Sequence, residues 1–209
     1  MNIFLVRHGQ SADHEGDRRQ KPDSVLGKNG KRQARALAAR MTKEKVDVII
    51  SSKWDRAYQT AETVAKKLKL KLQVIEYIHE KEQNPALYGA TMTSGLQERY
   101  VNAVKQFGAD LDWRFDGEGE SIRDVIGRVN KFREYLLKNY ASKNVVVVSH
   151  GLFIRTFIIL ALLPECSDKT FYELFMSLST DNTGISLMEY LPDKKRWELR
   201  YFNEHVHIR

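Results

Sequence analysis

Arg7 and His8 stand directly after the apolar run Ile3-Phe4-Leu5-Val6, and Gly9 follows them. Far along the chain, Ser149, His150 and Gly151 stand in the same relation to Val145-Val146-Val147-Val148. In between, residues 46–50 end at Ser51-Ser52 and lead to Arg56, and residues 70–75 lead to His79, Glu80 and Glu82. The runs over residues 3–6, 46–50 and 145–148 are short, apolar and rich in β-branched residues, which predicts buried strands, while residues 70–75 alternate and then run apolar, which predicts a further strand. In open α/β sheets the ligand site lies beyond the carboxyl ends of the strands. Two histidines, two arginines and a carboxylate are therefore expected at one sheet edge. That set suits phosphoryl transfer. Guanidinium forks match phosphate oxygens, and Gly151 and Leu152 open a predicted helix whose free backbone N–H groups also favour an anion. A neutral imidazole is a nucleophile at phosphorus. Neighbouring cations hold it unprotonated and stabilise charge on the phosphoryl oxygens, while a carboxylic acid protonates the leaving oxygen and then activates water. Alone, His8 is an ordinary polar residue at a strand end; the company of Arg7, Arg56 and His150 marks it as functional.

The elements that must position these groups alternate along the chain. A polar stretch, 9–28, reads as a long loop. Helical periodicity follows over 29–41 and 55–68, each with one apolar stripe. Residues 80–120 are irregular, with one helix over 96–107, and read as a lid inserted from about 85 to 119 over one end of the sheet. A strong amphipathic helix spans 121–140, and a mostly apolar one spans 152–163. Residues 184–190 and 197–202 read as a hairpin turning near Pro192-Asp193. Alternating strands and helices predict a single α/β domain over 1–209, a three-layer sandwich with helices on both faces of a mainly parallel sheet.

Three blocks resemble the histidine phosphatase superfamily, the phosphoglycerate-mutase-like fold. Leu5-Val6-Arg7-His8-Gly9 is similar to its signature, Ser51-Ser52-Lys53-Trp54-Asp55-Arg56-Ala57-Tyr58-Gln59-Thr60-Ala61 to its second block, and Val148-Ser149-His150-Gly151 to its third. Gly119-Glu120-Ser121 before a long helix and Asn182 before a late strand are weaker matches. The resemblance spans nearly the whole chain in the family's order. It implies that His8 becomes phosphorylated, that Arg7, Arg56 and His150 complete a phosphate pocket, and that Glu80 is the proton donor, with Glu82 as its close competitor. It implies a phosphatase that hydrolyses phosphate monoesters. A phosphoglycerate mutase and a catalytically silent phospho-ligand or protein-binding relative are the alternatives. Mutases of the family often carry Asn six residues after the nucleophile, where this chain has His14, and this departure counts against mutase-type substrate contacts.

Several residues keep two readings. Gln10 and Ser11 either touch substrate beside Arg7, Arg56 and Gly151 or cap the loop. Tyr88, Trp113 and Phe115 either line a substrate mouth or pack the lid. His205 and His207 have a spacing that could hold a metal, but a solvated, frayed terminus is the expectation. No metal and no cofactor are expected, because the assembled groups are mostly cationic or neutral. The net charge of +7 comes from Lys and Arg spread along the chain, with no basic arm or nucleic-acid module. This implies steering of anionic substrates, a small phosphorylated metabolite among them, rather than nucleic-acid binding. The single cysteine, Cys166, excludes an internal disulfide and fits a reducing cytoplasm. The apolar run before Arg7 is too short for a signal peptide, and none later is long enough to span a membrane. Oligomeric state stays open, a homodimer included.

Overall fold

The structure, a computed structural model, describes residues 1–208; Arg209, the last residue of the expected domain, lies outside the described residues. In chain order the main elements are β1 (Asn2–Arg7), α1 (Ala12–Glu15), α2 (Lys28–Met41), β2 (Val48–Ser52), α3 (Asp55–Leu68), β3 (Leu72–Ile75), α4 (Gly95–Phe107), α5 (Ile122–Tyr140), β4 (Asn144–Ser149), α6 (Gly151–Leu162), α7 (Asp168–Ser177), β5 (Ile185–Leu191) and β6 (Arg196–Glu204).

The six strands form one sheet in the order β3-β2-β4-β1-β5-β6. The first four are parallel, and the β5–β6 hairpin adds antiparallel to β1. Pleating decides what covers each face, because successive side chains point to opposite sides. Ile3 and Leu5 of β1, with Val145 and Val147 of β4, pack under α5 and α6 through Val129, Phe132, Phe153 and Phe157. Phe4, Val6, Val146 and Val148 face α2 and α3 through Leu37, Met41, Ala61 and Val64. Strands buried on both faces carry no polar alternation, which is why their sequences read as continuous apolar runs.

The strand ends matter most for the site. β1 and β4 pair in register, Arg7 opposite Ser149, so the two strands stop side by side. His8 and His150 follow immediately, one at each carboxyl end. Gly30 lets α2 pack against the turn after β1: a Cβ there would meet the Gln10 carbonyl oxygen at 1.9 Å.

Local structure departs from the expectation in places. β2 begins two residues later than expected, because Val46 packs as a flank of the α2–α3 core rather than in the ladder. The loop after Gly9 holds the one-turn helix α1, capped by Ser11. α7 was not foreseen; Ser167 caps it, and only Phe171 and Phe175 of its ten residues are buried. Residues 205–208 are not frayed: after β6 a 3-10 turn, Val206–Ile208, places His207 against Thr183, with 4% of its side chain exposed.

Candidate active site

His8, 2% exposed, sits at the bottom of the site and its ring is held from both sides. Nδ1 lies 2.7 Å from the Gly9 carbonyl oxygen. A carbonyl can only accept, so Nδ1 carries the proton and Nε2 the lone pair. Arg56 Nε donates to that Nε2 at 3.1 Å, which agrees with the same tautomer. The backbone is held as well: His8 N–H donates to Ser149 O, Asn182 Nδ2 donates to His8 O, and Gly9 N–H donates to Thr60 Oγ1. Asn182 and Thr60 thereby tie the end of β1 to the loop before β5 and to α3.

The other charged groups surround this imidazole. The His150 ring centroid is 5.0 Å from that of His8, and its Nε2 is 2.9 Å from Ser52 Oγ at the end of β2. Arg7 donates through Nη1 to Thr180 O, and Arg56 Nη1 donates to Lys21 O at 2.8 Å. Arg7 Nε and His150 Nδ1 are buried polar atoms without a hydrogen-bond partner among the described residues. Gly151 lies against Arg7: a Cβ there would come within 3.2 Å of Thr180 Oγ1 and 3.6 Å of Arg7 Nε. Trp54 stacks on His79 at 5.3 Å, meets His150 edge-on and lies under the Arg56 guanidinium at 4.7 Å.

Glu80 faces the cluster from the loop after β3. Its carboxylate accepts from its neighbour's backbone, Lys81 N–H at 3.0 Å, and from Leu152 N–H at 3.1 Å. The Leu152 N–H expected to be free for an anion is thus taken by Glu80, a carboxylate at a helix N-terminus where the dipole favours it. Glu82 lies elsewhere, its side chain 53% exposed and 3.8 Å from His79.

Arg7, His8, Trp54, Arg56, Glu80 and Leu152 line a cleft of about 360 Å³, and His150 lies buried beneath it. His14, Arg18, Arg19, Lys81, Tyr88 and Arg155 also line it. Of the three aromatic residues left open by the sequence, only Tyr88 lines the cleft. Phe115 is buried in the lid, and Trp113 stacks on Phe107. Gln10 and Ser11 are not brought to the cleft. Ser11 is fully buried and accepts from His14 N–H, while Gln10 Oε1 accepts from Asn29 Nδ2. Arg18, Arg19, Lys81 and Arg155 went unnoticed in the sequence. Arg155, one turn beyond Gly151 and a charge in a mostly apolar helix, was the one with a readable signal. A wider groove of about 700 Å³, lined by Leu137, Trp197 and Leu199 among others, contains none of the histidine or arginine groups above.

Electrostatics holds the imidazoles neutral. Burial pushes His8 well below the usual histidine range, and Arg56 and then Arg7 add to the effect. His150 is pushed the same way by burial, then by Arg56 and His8. Arg56 itself is lowered to about 10 by burial. A stability consequence follows. In the unfolded chain these imidazoles bind protons below about pH 6.5, whereas in the folded protein they stay neutral to much lower pH. The unfolded state then binds more protons, so stability falls as pH drops through that value. Each group contributes a slope of up to about 1.4 kcal/mol per pH unit. The midpoint of urea unfolding is expected to be lower at about pH 5.5 than at about pH 7.5; an equal or higher midpoint would contradict the neutral pair.

The family description "histidine phosphatase superfamily (branch 1)" matches residues 3–205. Phosphoserine phosphatase 1 of Hydrogenobacter thermophilus is 31% identical over 90% of this chain and 86% of its own. A metal-independent phosphoserine phosphatase of Arabidopsis thaliana is 32% identical over 73% of this chain and 65% of its own. A solved structure of the Entamoeba histolytica phosphoserine phosphatase in complex with 3-phosphoglyceric acid superposes with a TM-score of 0.78, at 26% identity over 99% of this chain and 98% of that one. With its sheet, its strand-end histidines and a family match over almost its full length, the chain belongs to the histidine phosphatase superfamily, branch 1.

Proposed function

We propose that this protein hydrolyses small phosphate monoesters by passing the phosphoryl group to His8 and then to water. The observation that carries the reading is the fixed tautomer of a buried, neutral His8, its Nε2 lone pair presented beside two arginines. Arg7 and Arg56, which line the cleft, receive the phosphoryl oxygens, and the buried His150, its ring centroid 5.0 Å from that of His8, completes the pocket beneath them.

In the first transfer Arg56 Nε–H turns from His8 Nε2 to a phosphoryl oxygen, the freed Nε2 lone pair attacks phosphorus, and the ester P–O bond breaks. The ring then carries positive charge, which the Nδ1–H to Gly9 O bond stabilises. The leaving oxygen takes a proton from Glu80. Two backbone N–H groups, of Lys81 and Leu152, hold the Glu80 carboxyl facing the cleft where that oxygen departs. In the second transfer the Glu80 carboxylate takes a proton from water, whose oxygen attacks phosphorus. The N–P bond breaks, leaving inorganic phosphate and neutral His8.

Hydrolysis is favoured over return of the phosphoryl group to a sugar acid. Two relatives above 30% identity are named as phosphatases, and His14 lines the cleft where mutases often carry Asn. The cleft's size suits a small phosphorylated metabolite. A single cysteine fits a reducing cytoplasm; no helix among the described residues is long and apolar enough to cross a membrane.

The chemistry asks for no metal. Arg7 and Arg56 already neutralise phosphate charge and repel a divalent cation. Among the described residues no three His, Cys, Asp or Glu side chains gather as a ligand set. Turnover is expected to survive exhaustive chelation unchanged, and vanadate, which adopts the five-coordinate geometry of phosphoryl transfer, is expected to inhibit strongly. Loss of activity with chelator and its recovery on adding magnesium would refute the reading.

A further inference from the structure

Lys81 follows the proposed proton donor in the chain and lines the same cleft, yet the chemistry above gives it nothing to do. It is 7% exposed, unusual for a lysine, and its ammonium makes no hydrogen bond or ion pair among the described residues. The carboxylates near it are committed elsewhere. Glu120 is held by Arg128 and Glu82 N–H, Asp124 by Arg114 and the Ser121 cap, and Glu80 by two backbone N–H groups.

The guanidinium groups of the cleft differ in this respect. Arg18 donates to Gly89 O, Arg19 to Gln97 Oε1, and Arg155 to Gly151 O, Phe175 O and Leu178 O. Lys81 is the one lysine among the described residues lining the cleft, and Glu120 and Glu80 act on its charge only from beyond bonding distance. On its other side lies an apolar cavity of about 90 Å³, lined by Tyr100, Trp113, Phe175 and Met176 among others. A lysine between an apolar wall and a polar cleft buries its methylene stem against the first and keeps its charge in the second. Its ammonium is not among the polar atoms sealed from solvent. Burial lowers its proton affinity, so holding an unpaired charge there costs stability that an incoming anion would return.

We propose that the Lys81 ammonium receives a second anionic group of the substrate, a carboxylate, so that the cleft selects phosphate monoesters of small carboxylic acids. The inference rests on the phosphatase reading and names the substrate class for that site. Glu80 and Lys81 are adjacent in the chain, so the proton donor and the carboxylate receptor are set at a fixed spacing. A substrate that satisfies Lys81 delivers its ester oxygen to Glu80 in one orientation.

The test compares 3-phosphoglycerate with glycerol 3-phosphate, which share a three-carbon skeleton and differ by a carboxylate against a hydroxymethyl group. The wild-type protein is expected to prefer the first in kcat/KM. Lys81→Gln should erase that preference by on the order of 10²-fold, through a KM that rises for 3-phosphoglycerate relative to glycerol 3-phosphate. Lys81→Arg should keep most of it. The same comparison by calorimetry in the His8→Ala protein reads binding without turnover. It therefore judges Lys81 even if the phosphatase reading fails, and failure of that reading would show separately as no release of phosphate from p-nitrophenyl phosphate. An equal effect of Lys81→Gln on both probes, in kinetics and in binding, or a wild-type protein that does not distinguish them, would overturn the proposal.

Discussion

Replacing His8 with Ala is expected to lower turnover by on the order of 10⁶-fold while leaving the fold in place. The loss is large because the side chain is the covalent acceptor; no neighbour can take its role. His150 has its Nε2 engaged with Ser52 and its ring 5.0 Å away, and Cys166 lies outside the cleft. The fold should survive, since the strands that end at His8 are held by their own ladders and by two apolar cores. The cost is local: Arg56 Nε loses its acceptor, and the Gly9 carbonyl loses a donor. Phosphate release measured with p-nitrophenyl phosphate, alongside a circular dichroism melt, checks both halves. A folded His8→Ala protein with more than about a hundredth of wild-type turnover would remove His8 as nucleophile.

The second large effect is leaving-group selectivity at Glu80. Glu80→Gln keeps the size of the side chain and an oxygen for the Leu152 N–H, so the N-terminus of α6 stays capped. What it loses is a transferable proton. Alkyl phosphates, whose departing alkoxide is strongly basic, should slow by about 10²–10⁴-fold. p-Nitrophenyl phosphate should slow far less in the phosphoryl-transfer step, because its leaving group departs without a proton. Glu82→Gln should show no such selectivity: the side chain is half exposed and sits beside His79, outside the cleft. The reverse pattern, selective loss in Glu82→Gln alone, would move the proton donor two residues along the loop.

Much of the architecture was legible, and physical differences explain where it was not. β1 and β4 announce themselves because strands buried on both faces must be apolar throughout. α2, α3 and α5 show because each packs one stripe on the sheet. The strand-end rule then placed Arg7, His8, Arg56 and His150 together without any contact being known. α7 escaped notice because a helix with two buried aromatic residues in ten leaves a faint period. The expectation that α6 offers free N–H groups missed the carboxylate of Glu80, which arrives from a loop with no periodicity.

The same reason hid Lys81 and the arginines of the cleft rim. Arg18 and Arg19 are fixed by a short ladder between the loop after α1 and the lid: Arg19 N–H donates to Ala90 O, Gly89 N–H to Arg19 O and Met92 N–H to Asp17 O. Asp17 and Gly89 adopt positive φ to make that ladder, at 55° and 75°. Pairings of this kind join residues some seventy positions apart through irregular backbone, and nothing in local spacing encodes them. Gln10 and Ser11 illustrate the opposite case. Their position beside His8 left substrate contact and loop capping equally open, and the turn after β1 uses Ser11 to cap α1 and holds Gln10 on α2.

The account stands most directly on where the phosphoryl group rests between the two transfers. Rapid quenching of wild-type protein with a ³²P-labelled monoester, followed by peptide mapping, measures this. The expected result is label on His8 alone, lost in acid and stable in base as a phosphoramidate must be, and absent from the His8→Ala protein. Label on a serine, cysteine or aspartate, or turnover with no labelled protein at any quench time, would contradict a phosphohistidine at the end of β1.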